Sequence, residues 1–330
     1  MSNTETLSKN DTLVLKGMAL ILLLIHHLFY RNGGLYDDIY LFHDRYLVQE
    51  IGMIAKVCVT LFVLLSGYGL AINAENNGVI KDVKVFYFHR FKKLFLNYWF
   101  FWLTFVPISI FFFGRSFFDA YSYDIYSQLF LDIFGLHAIF YQYPTMCYNP
   151  TWWFYSCIIL LYLFFPMLYS WAKKDHLSVV LMAIAVSFVP IPQLATIQFN
   201  ILAFVIGILM VVGRVPRPHN SIFLVITVFI LIVVRSFNSY PLLIDCFISA
   251  ALVQLYRSIK LYKWISVVLA FIGKHSMNIF LFHTFIFYFW FRDIVYASSN
   301  PIIIFITLLA FCIPISMVIE WMKKYTIYKL

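Results

Sequence analysis

The sequence has few charged residues, since Asp, Glu, Lys and Arg make up 12% of its 330 residues, against roughly 25% in soluble domains. Its hydrophobic share is 63% and its mean hydropathy is +0.85. The five cysteines show no spacing typical of a metal or redox centre, so we expect neither a metal site nor a disulfide. The segment Met1–Asp11 has no basic n-region, and no small-residue cleavage site follows, so we expect no removable signal peptide. The composition excludes an ordinary soluble domain and indicates a polytopic membrane protein.

Apolar stretches of spanning or near-spanning length predict an all-α integral membrane bundle of about ten transmembrane helices, because a helix needs about 20 residues to cross the hydrocarbon. No internal repeat or linker divides the chain, so we expect one domain over residues 1–330 without an appended soluble domain. The predicted spans are residues 12–30, 51–73, 94–114, 151–170, 177–193, 197–213, 220–235, 240–256, 275–291 and 300–321.

The basic residues orient this bundle. If the N-terminus is cytoplasmic, all but six of the 24 Lys and Arg residues fall on the cytoplasmic side, which agrees with the positive-inside rule. Both termini are therefore predicted to be cytoplasmic, in a multi-pass protein of the cell membrane. The net charge of +9 is explained by this topology. The sequence contains no basic patch interleaved with exposed aromatic residues, so we expect no nucleic-acid partner.

Lys16 and His27 are the ionisable pair of the first apolar segment. Eleven residues on an α-helix come to within about 20° of a whole number of turns, so both side chains share a face, about 16 Å apart along the axis. Ionisable groups inside a membrane usually face the bundle interior or a wet cavity. His27 is either a catalytic base or a residue that hydrogen-bonds a neighbouring helix. His26 points about 80° to 100° away and is the weaker candidate.

Arg90 and Lys93 lie in the predicted cytoplasmic loop before the third helix, at the inner interface, and they are three residues apart on one helical face. They are either ordinary interfacial anchors or a cradle for the phosphates of a cytosolic donor. Position in the sequence does not separate the two interpretations.

Trp152 and Trp153 follow Asn149 and Pro150 at the start of the fourth span. The pattern is typical of a capped helix start, with Asn149 or Thr151 as the cap, and of an aromatic belt at the outer face. A Trp face at a cavity is also suited to stacking on a sugar ring.

The residues from Gly273 to His283 enter the ninth predicted span from the inside. Gly273 is expected to bend or break the chain and Ser276 to cap the helix that follows. His283 then lies about ten residues into the membrane, where a buried histidine is a site candidate because of its energetic cost.

Residues from about 115 to 150 form the longest stretch that does not span. The apolar spacing in Ser127–His137 predicts an interfacial helix along the outer face.

In order and spacing, these segments resemble the acyltransferase 3 family of membrane O-acyltransferases over nearly the whole chain. Two departures are Lys93 in place of a second Arg, and the absence of Glu after the Trp motif, where Ser156, Cys157 and Ile158 stand. The matching motifs are Lys16 with His27, Leu61–Gly69 around Ser66, Arg90 with Lys93, Thr151–Phe154 followed by Tyr162 and Pro166, and Gly273–His283.

The resemblance implies transfer of an acyl group, commonly acetyl, from cytosolic acyl-CoA to a hydroxyl of a cell-surface or exported carbohydrate, with no permanently bound cofactor. It assigns His27 and Lys16 to catalysis, with His27 either as the general base or as a transiently acylated residue. It assigns Lys16, Arg90 and Lys93 to the donor. Acceptor contacts are expected from Trp152, Trp153, His283 and Ser66. The alternative is a polytopic exporter of a glycan or lipid-linked sugar, whose path the same ionisable residues would line.

Overall fold

The structure is a computed structural model that describes residues 6–31, 33–42, 45–77, 82–121, 124–140, 147–189, 195–213, 215, 220–237, 241–259 and 261–326. Nearly all of this part of the chain is helical. Its strands form one short antiparallel hairpin, β1 (Tyr40–Phe42) with β2 (Arg45–Tyr46). The predicted all-α class is therefore confirmed.

The helices follow one another with short connections. A 3-10 turn at Ala55–Val57 precedes α3, another at Pro150–Trp152 precedes α8, and a π-helical turn at Phe285–Trp290 follows α15. In chain order they are α1 (Lys9–Phe29), α2 (Leu47–Ile54), α3 (Cys58–Asn77), α4 (Val83–Phe113), α5 (Phe117–Ala120), α6 (Ile125–Ile133), α7 (His137–Phe140), α8 (Trp153–Lys174), α9 (His176–Phe188), α10 (Ala195–Gln198), α11 (Ile201–Val212), α12 (Ser221–Ser236), α13 (Pro241–Ser258), α14 (Lys263–Lys274), α15 (Ser276–Thr284), α16 (Arg292–Val295) and α17 (Pro301–Tyr325).

Each of the ten predicted spans overlaps a helix, although residues 190–193 of one span and residue 240 of another lie outside the described residues. The number of spans and the cytoplasmic location of both termini stay predictions. Among the described residues, the stretches long and apolar enough to cross a membrane are Lys9–Phe29, Leu47–Asn76, Val83–Phe113, Pro150–Lys174 and Pro301–Tyr325. A sixth is present if α14 and Ser276–Trp290, which are bent by 58° relative to each other, count as one.

The largest differences from the sequence prediction concern α4 and α14. α4 begins at Val83, so Arg90 and Lys93 lie inside a helix and not in a loop before it. Lys and Arg are good helix formers, so a charged membrane edge need not end a helix. α14 was not predicted, because its apolar stretch between Lys263 and Lys274 is too short to span.

The chain packs into two compact units, each built from three separate segments, and the single-domain expectation stays a prediction. The first unit comprises Met1–Leu23, Lys56–Phe88 and Ile158–Lys274, and the second comprises Leu24–Ala55, His89–Cys157 and His275–Leu330.

In the first unit, two glycines allow α1 and α14 to pack backbone to backbone. A Cβ atom at Gly17 would overlap the carbonyl of Leu269, and one at Gly273 would overlap the carbonyl of Leu13. Gly273 is therefore required by this close contact, and the chain bends directly after α14, as the sequence predicted.

The second unit is centred on α15, which is buried over nearly its whole length. The predicted cap at its start is wrong, since the N-cap residue is His275 and its side chain makes no capping hydrogen bond. His275 Nδ1 instead lies 2.8 Å from the hydroxyl of Ser316 on α17. The start of α15 is thus held by a neighbouring helix of the same unit.

Candidate functional site

His283 lies at the end of α15, one residue before the π-helical turn, and its side chain is fully buried. Its Nδ1 lies 3.0 Å from the carbonyl oxygen of Ile279 and 2.9 Å from that of Phe280. Because carbonyl oxygens only accept, Nδ1 carries the proton and Nε2 presents a lone pair. Nε2 makes no hydrogen bond to the described residues. His283 is therefore a buried hydrogen-bond acceptor next to a π-turn, a feature that is frequent at functional sites.

His27 packs against His283. The two ring centroids lie 5.0 Å apart, and the ring of Phe287 lies 6.4 Å from His27 and 5.9 Å from His283. His27 is half-buried near the end of α1. The structure thus brings together two histidines that the sequence singled out at opposite ends of the chain, beside an apolar ring in the second unit.

His26 makes a contact that links two helices. Its Nδ1 donates to the backbone carbonyl of Gly52 at 2.8 Å, which ties α1 to α2. That His27 and not His26 is the reactive histidine stays a prediction.

The segment Asn149–Trp152 anchors α15. Trp152 Nε1 donates to the carbonyl of Leu281 at 2.9 Å, and Asn149 Nδ2 donates to the same oxygen at 3.3 Å. The hydroxyl of Thr151 lies 3.2 Å from that of Thr284. These bonds fix the backbone on both sides of His283.

In the same segment, Asn149 caps a helical turn and the two tryptophans differ in burial. Asn149 caps the 3-10 turn by accepting from the N–H of Thr151, as one predicted alternative required. Trp152 is fully buried against Tyr98, with ring centroids 5.1 Å apart. Trp153 is half-buried. Trp152 therefore positions α15, and of the two tryptophans Trp153 has the more accessible side chain.

The predicted donor residues lie on two helices. On α4, Arg90 is half-buried and Lys93 is exposed, and both belong to the second unit. Lys16 is half-buried on α1 in the first unit. Ser66, which was predicted to contact the acceptor, is half-buried on α3 of the same unit. Their roles stay predictions.

Lys323 is a buried cation that the sequence reasoning treated only as a topology signal. Its side chain is 1% exposed, and Nζ donates to Asn278 Oδ1 at 2.6 Å and to Asn97. Asn278 also donates to Glu320 at 2.7 Å. The signal in the sequence was the Glu320 and Lys323 pair, three residues apart at the end of the last apolar segment.

This network joins three helices of the second unit. Asn97 follows Lys93 by four residues, so both lie on one face of α4, and the ammonium of Lys323 connects that face to α15 and α17. The face that carries the predicted phosphate contacts is therefore rigidly linked to the helix that carries His283.

The first unit contains a cavity of about 330 Å³, whose lining includes Lys173, Glu75 and Arg257. Lys173 pairs with Glu75 at 3.0 Å, and Arg257 donates to the carbonyl of Val215 at 3.2 Å and to Gln254 at 2.9 Å. Because these cations already have partners, the cavity is poorly suited to a polyphosphate.

A family model described as an acyltransferase domain matches residues 14–321 of this chain. The chain belongs to the acyltransferase 3 family. The match covers both histidines, the predicted donor residues and the two tryptophans, and Lys323 lies two residues beyond it. The protein is therefore a membrane acyltransferase. Comparisons with curated proteins and with solved structures found no match.

Proposed function

We propose that this acyltransferase transfers an acetyl group from acetyl-CoA to a hydroxyl of a cell-surface or exported carbohydrate, in the cell membrane. The observation that carries the proposal is the contact between His27 and His283, with ring centroids 5.0 Å apart in an apolar environment. Acyl transfer to a hydroxyl needs a base near a second polar group that positions the hydroxyl, and this pair provides both.

In the proposed mechanism, neutral His27 removes the proton of the acceptor hydroxyl as its oxygen attacks the thioester carbonyl carbon. The C–S bond then breaks, and the proton passes to the departing CoA thiolate. Imidazole suits this role because its ordinary pKa lies near neutrality. Nε2 of His283, which has its lone pair available, accepts a hydrogen bond from the acceptor and holds it for attack.

For the donor, we assign the CoA phosphates to Arg90 and Lys93, and assign Lys16 to the same side on sequence grounds. Arg and Lys both bind phosphate, and Lys93 keeps the charge but not the bidentate geometry of Arg. The network of Lys323 with Asn97 supports this assignment, since it gives the α4 face a rigid connection to α15.

For the acceptor, we assign ring stacking to Trp153, while the acceptor contact of Ser66 rests on the family resemblance alone. Trp152 contributes by holding the backbone at Leu281, because its indole is buried. The exporter alternative has no observation in its favour, whereas the family match supports group transfer.

The test compares His27→Ala with His26→Ala in membranes that receive radiolabelled acetyl-CoA. CoA thiol release and ester label on the cell's own surface glycans are measured together, and the glycans are analysed by mass spectrometry. His27→Ala should lose about 10² to 10⁴ in rate, the usual contribution of a general base. His26→Ala removes the hydrogen bond to Gly52 and the ring contacts with His27 and Tyr30 but leaves the imidazole of His27 in place, so a folded fraction should retain most of its rate. A correctly inserted His27→Ala protein with full transfer would overturn the proposed mechanism.

The donor assignment is tested by Arg90→Gln and Lys93→Gln, with Lys92→Gln as the control. Lys92 is an exposed cation adjacent to Lys93 but about 100° away around α4. The first two variants should raise the KM for acetyl-CoA more than they lower kcat, and Lys92→Gln should not. Equal effects in all three would show that only the general positive charge matters.

A further inference from the structure

Asp132, His137 and Cys147 come together in the second unit, in the part of the chain between α4 and α8. Asp132 is on α6, His137 begins α7, and Cys147 lies shortly before Asn149. One possible ligand atom from each lies within 4.8 Å of the other two. All three side chains are buried, with exposures of 0%, 0% and 1%. The cluster is separate from His27 and His283, and the proposed mechanism does not use it.

The imidazole of His137 lacks ordinary hydrogen bonds. Its Nδ1 lies 3.4 Å from Asp132 Oδ1 but without hydrogen-bond geometry, and Nε2 has no hydrogen-bond partner among the described residues. A buried polar group without a partner costs about 1 to 3 kcal/mol. The unpartnered imidazole of His137, among side chains that can bind a metal, therefore indicates that this cluster binds an ion or a ligand.

The carboxylate of Asp132 is already oriented by its neighbours. Its Oδ2 accepts from the hydroxyl of Tyr121 at 2.8 Å and from the backbone N–H of Tyr148 at 2.9 Å. Oδ1 accepts a longer bond, 3.1 Å, from the hydroxyl of Tyr98 and faces His137. Metal-binding carboxylates are commonly held in this way by hydrogen bonds to the other oxygen.

We propose that Asp132, His137 and Cys147 bind a divalent transition-metal ion, and that Zn²⁺ is the ion they fit best. Zn²⁺ accepts carboxylate, imidazole and thiolate ligands together. Tetrahedral bonds of about 2.0 Å separate an oxygen and a nitrogen ligand by roughly 3.3 Å, close to the 3.4 Å between Asp132 Oδ1 and His137 Nδ1.

Metal binding requires Cys147 to lose its thiol proton. The thiol of Cys147 now donates to the carbonyl of Asn149 at 2.9 Å. Binding replaces the S–H bond by a sulfur–metal bond, releases the proton to solvent and changes no oxidation state. One carboxylate, one thiolate and one neutral imidazole then neutralise the two positive charges of the ion, which suits a buried site.

The same three residue types also occur in cysteine nucleophile sites, but burial argues against that role. A nucleophilic cysteine must be partly accessible, and Cys147 is 1% exposed. An ion held by these three side chains, with a water as the fourth ligand of tetrahedral zinc, would instead fix the segment that continues from Cys147 into Asn149 and Trp152, and so support the anchor of α15. The expectation from sequence spacing that no metal binds would then be wrong, because the ligands meet only in the folded chain.

The test uses the full-length protein purified in detergent. Metal content is measured by mass spectrometry after dialysis, with about one zinc ion per chain expected. Metal-depleted protein is then titrated with Co²⁺, and a sulfur-to-cobalt charge-transfer band in the near ultraviolet reports a thiolate ligand. The Co²⁺ readout on the unaltered protein does not depend on any variant folding.

Cys147→Ser and His137→Gln should each lower the bound metal at least tenfold. Cys312→Ser, which alters a buried thiol of α17 outside the cluster, should leave it unchanged. The proposal is overturned if the unaltered protein binds neither Zn²⁺ nor Co²⁺. It is equally overturned if the Co²⁺ complex lacks the sulfur band, if metal content is the same in all variants, or if Cys147 is recovered as an acyl thioester.

Discussion

His283→Asn separates the functions of the two ring nitrogens of His283. The Nδ1 atom donates to the backbone carbonyls of Ile279 and Phe280, and the amide nitrogen of asparagine can take nearly the same place. The substitution therefore keeps the local donor and removes Nε2. Because His283 is fully buried and asparagine is smaller than histidine, we expect a loss of about 0.5 to 3 kcal/mol in unfolding free energy.

The effect on activity follows from the proposed role of Nε2. A hydrogen bond that orients a hydroxyl on which charge develops contributes about 1 to 3 kcal/mol. The kcat/KM for the acceptor should therefore fall about five- to 150-fold, while the KM for acetyl-CoA stays constant. If His283 were itself the general base, the fall would be about 10² to 10⁴, and the value measured thus assigns the role.

The assay is label transfer from acetyl-CoA to surface glycans in membranes with equal amounts of inserted protein. His26→Asn is the matched control, because it makes the same change at a histidine whose Nδ1 also donates to a backbone carbonyl. It should retain nearly full activity. The reasoning fails if His283→Asn is as active as the unaltered protein, or if both variants lose the same fraction.

Three further predictions concern the packing around the site, and each is measured by thermal unfolding in detergent. Trp152→Phe removes the N–H that donates to a buried carbonyl and should cost about 0.5 to 1.5 kcal/mol of unfolding free energy. Trp152→Ala also removes the buried ring and should cost about 3 to 5 kcal/mol. Equal costs for the two variants would contradict the role of Trp152 as an anchor of α15. Gly135→Ala should lower the melting temperature, because Gly135 has a φ of +63° and a Cβ there would overlap the ring of Tyr155. Lys323→Met should cost about 1 to 3 kcal/mol of unfolding free energy. Its control Lys324→Met changes the exposed neighbour and should cost less than about 0.5 kcal/mol. Similar costs for both would show that the buried network does not stabilise the fold.

Most helices were predictable because the membrane makes strong demands on a sequence. A spanning helix needs a long apolar stretch, and the ten predicted stretches each overlap a helix of the structure. The extension of α4 back to Val83 was not predictable from hydropathy, because charged residues such as Arg90 and Lys93 occur equally well in helices and in loops at a membrane edge.

The candidate site was predictable in part. His27 and His283 were selected because ionisable groups are costly in a membrane, but their contact depends on packing between helices. Lys323 was missed for the same reason. A lysine near a helix end is normally an interfacial anchor, and only its contacts with Asn97 and Asn278 show that it is buried.

The sequence by itself determined the class of the protein, its helical segments and its family, because these depend on composition, local periodicity and the order of motifs along the chain. Tertiary structure alone decided which histidine packs against His283, that Trp152 supports α15 from within, and that Asp132, His137 and Cys147 meet. Contacts between residues that are distant in the chain depend on how the helices pack, and no local pattern encodes them.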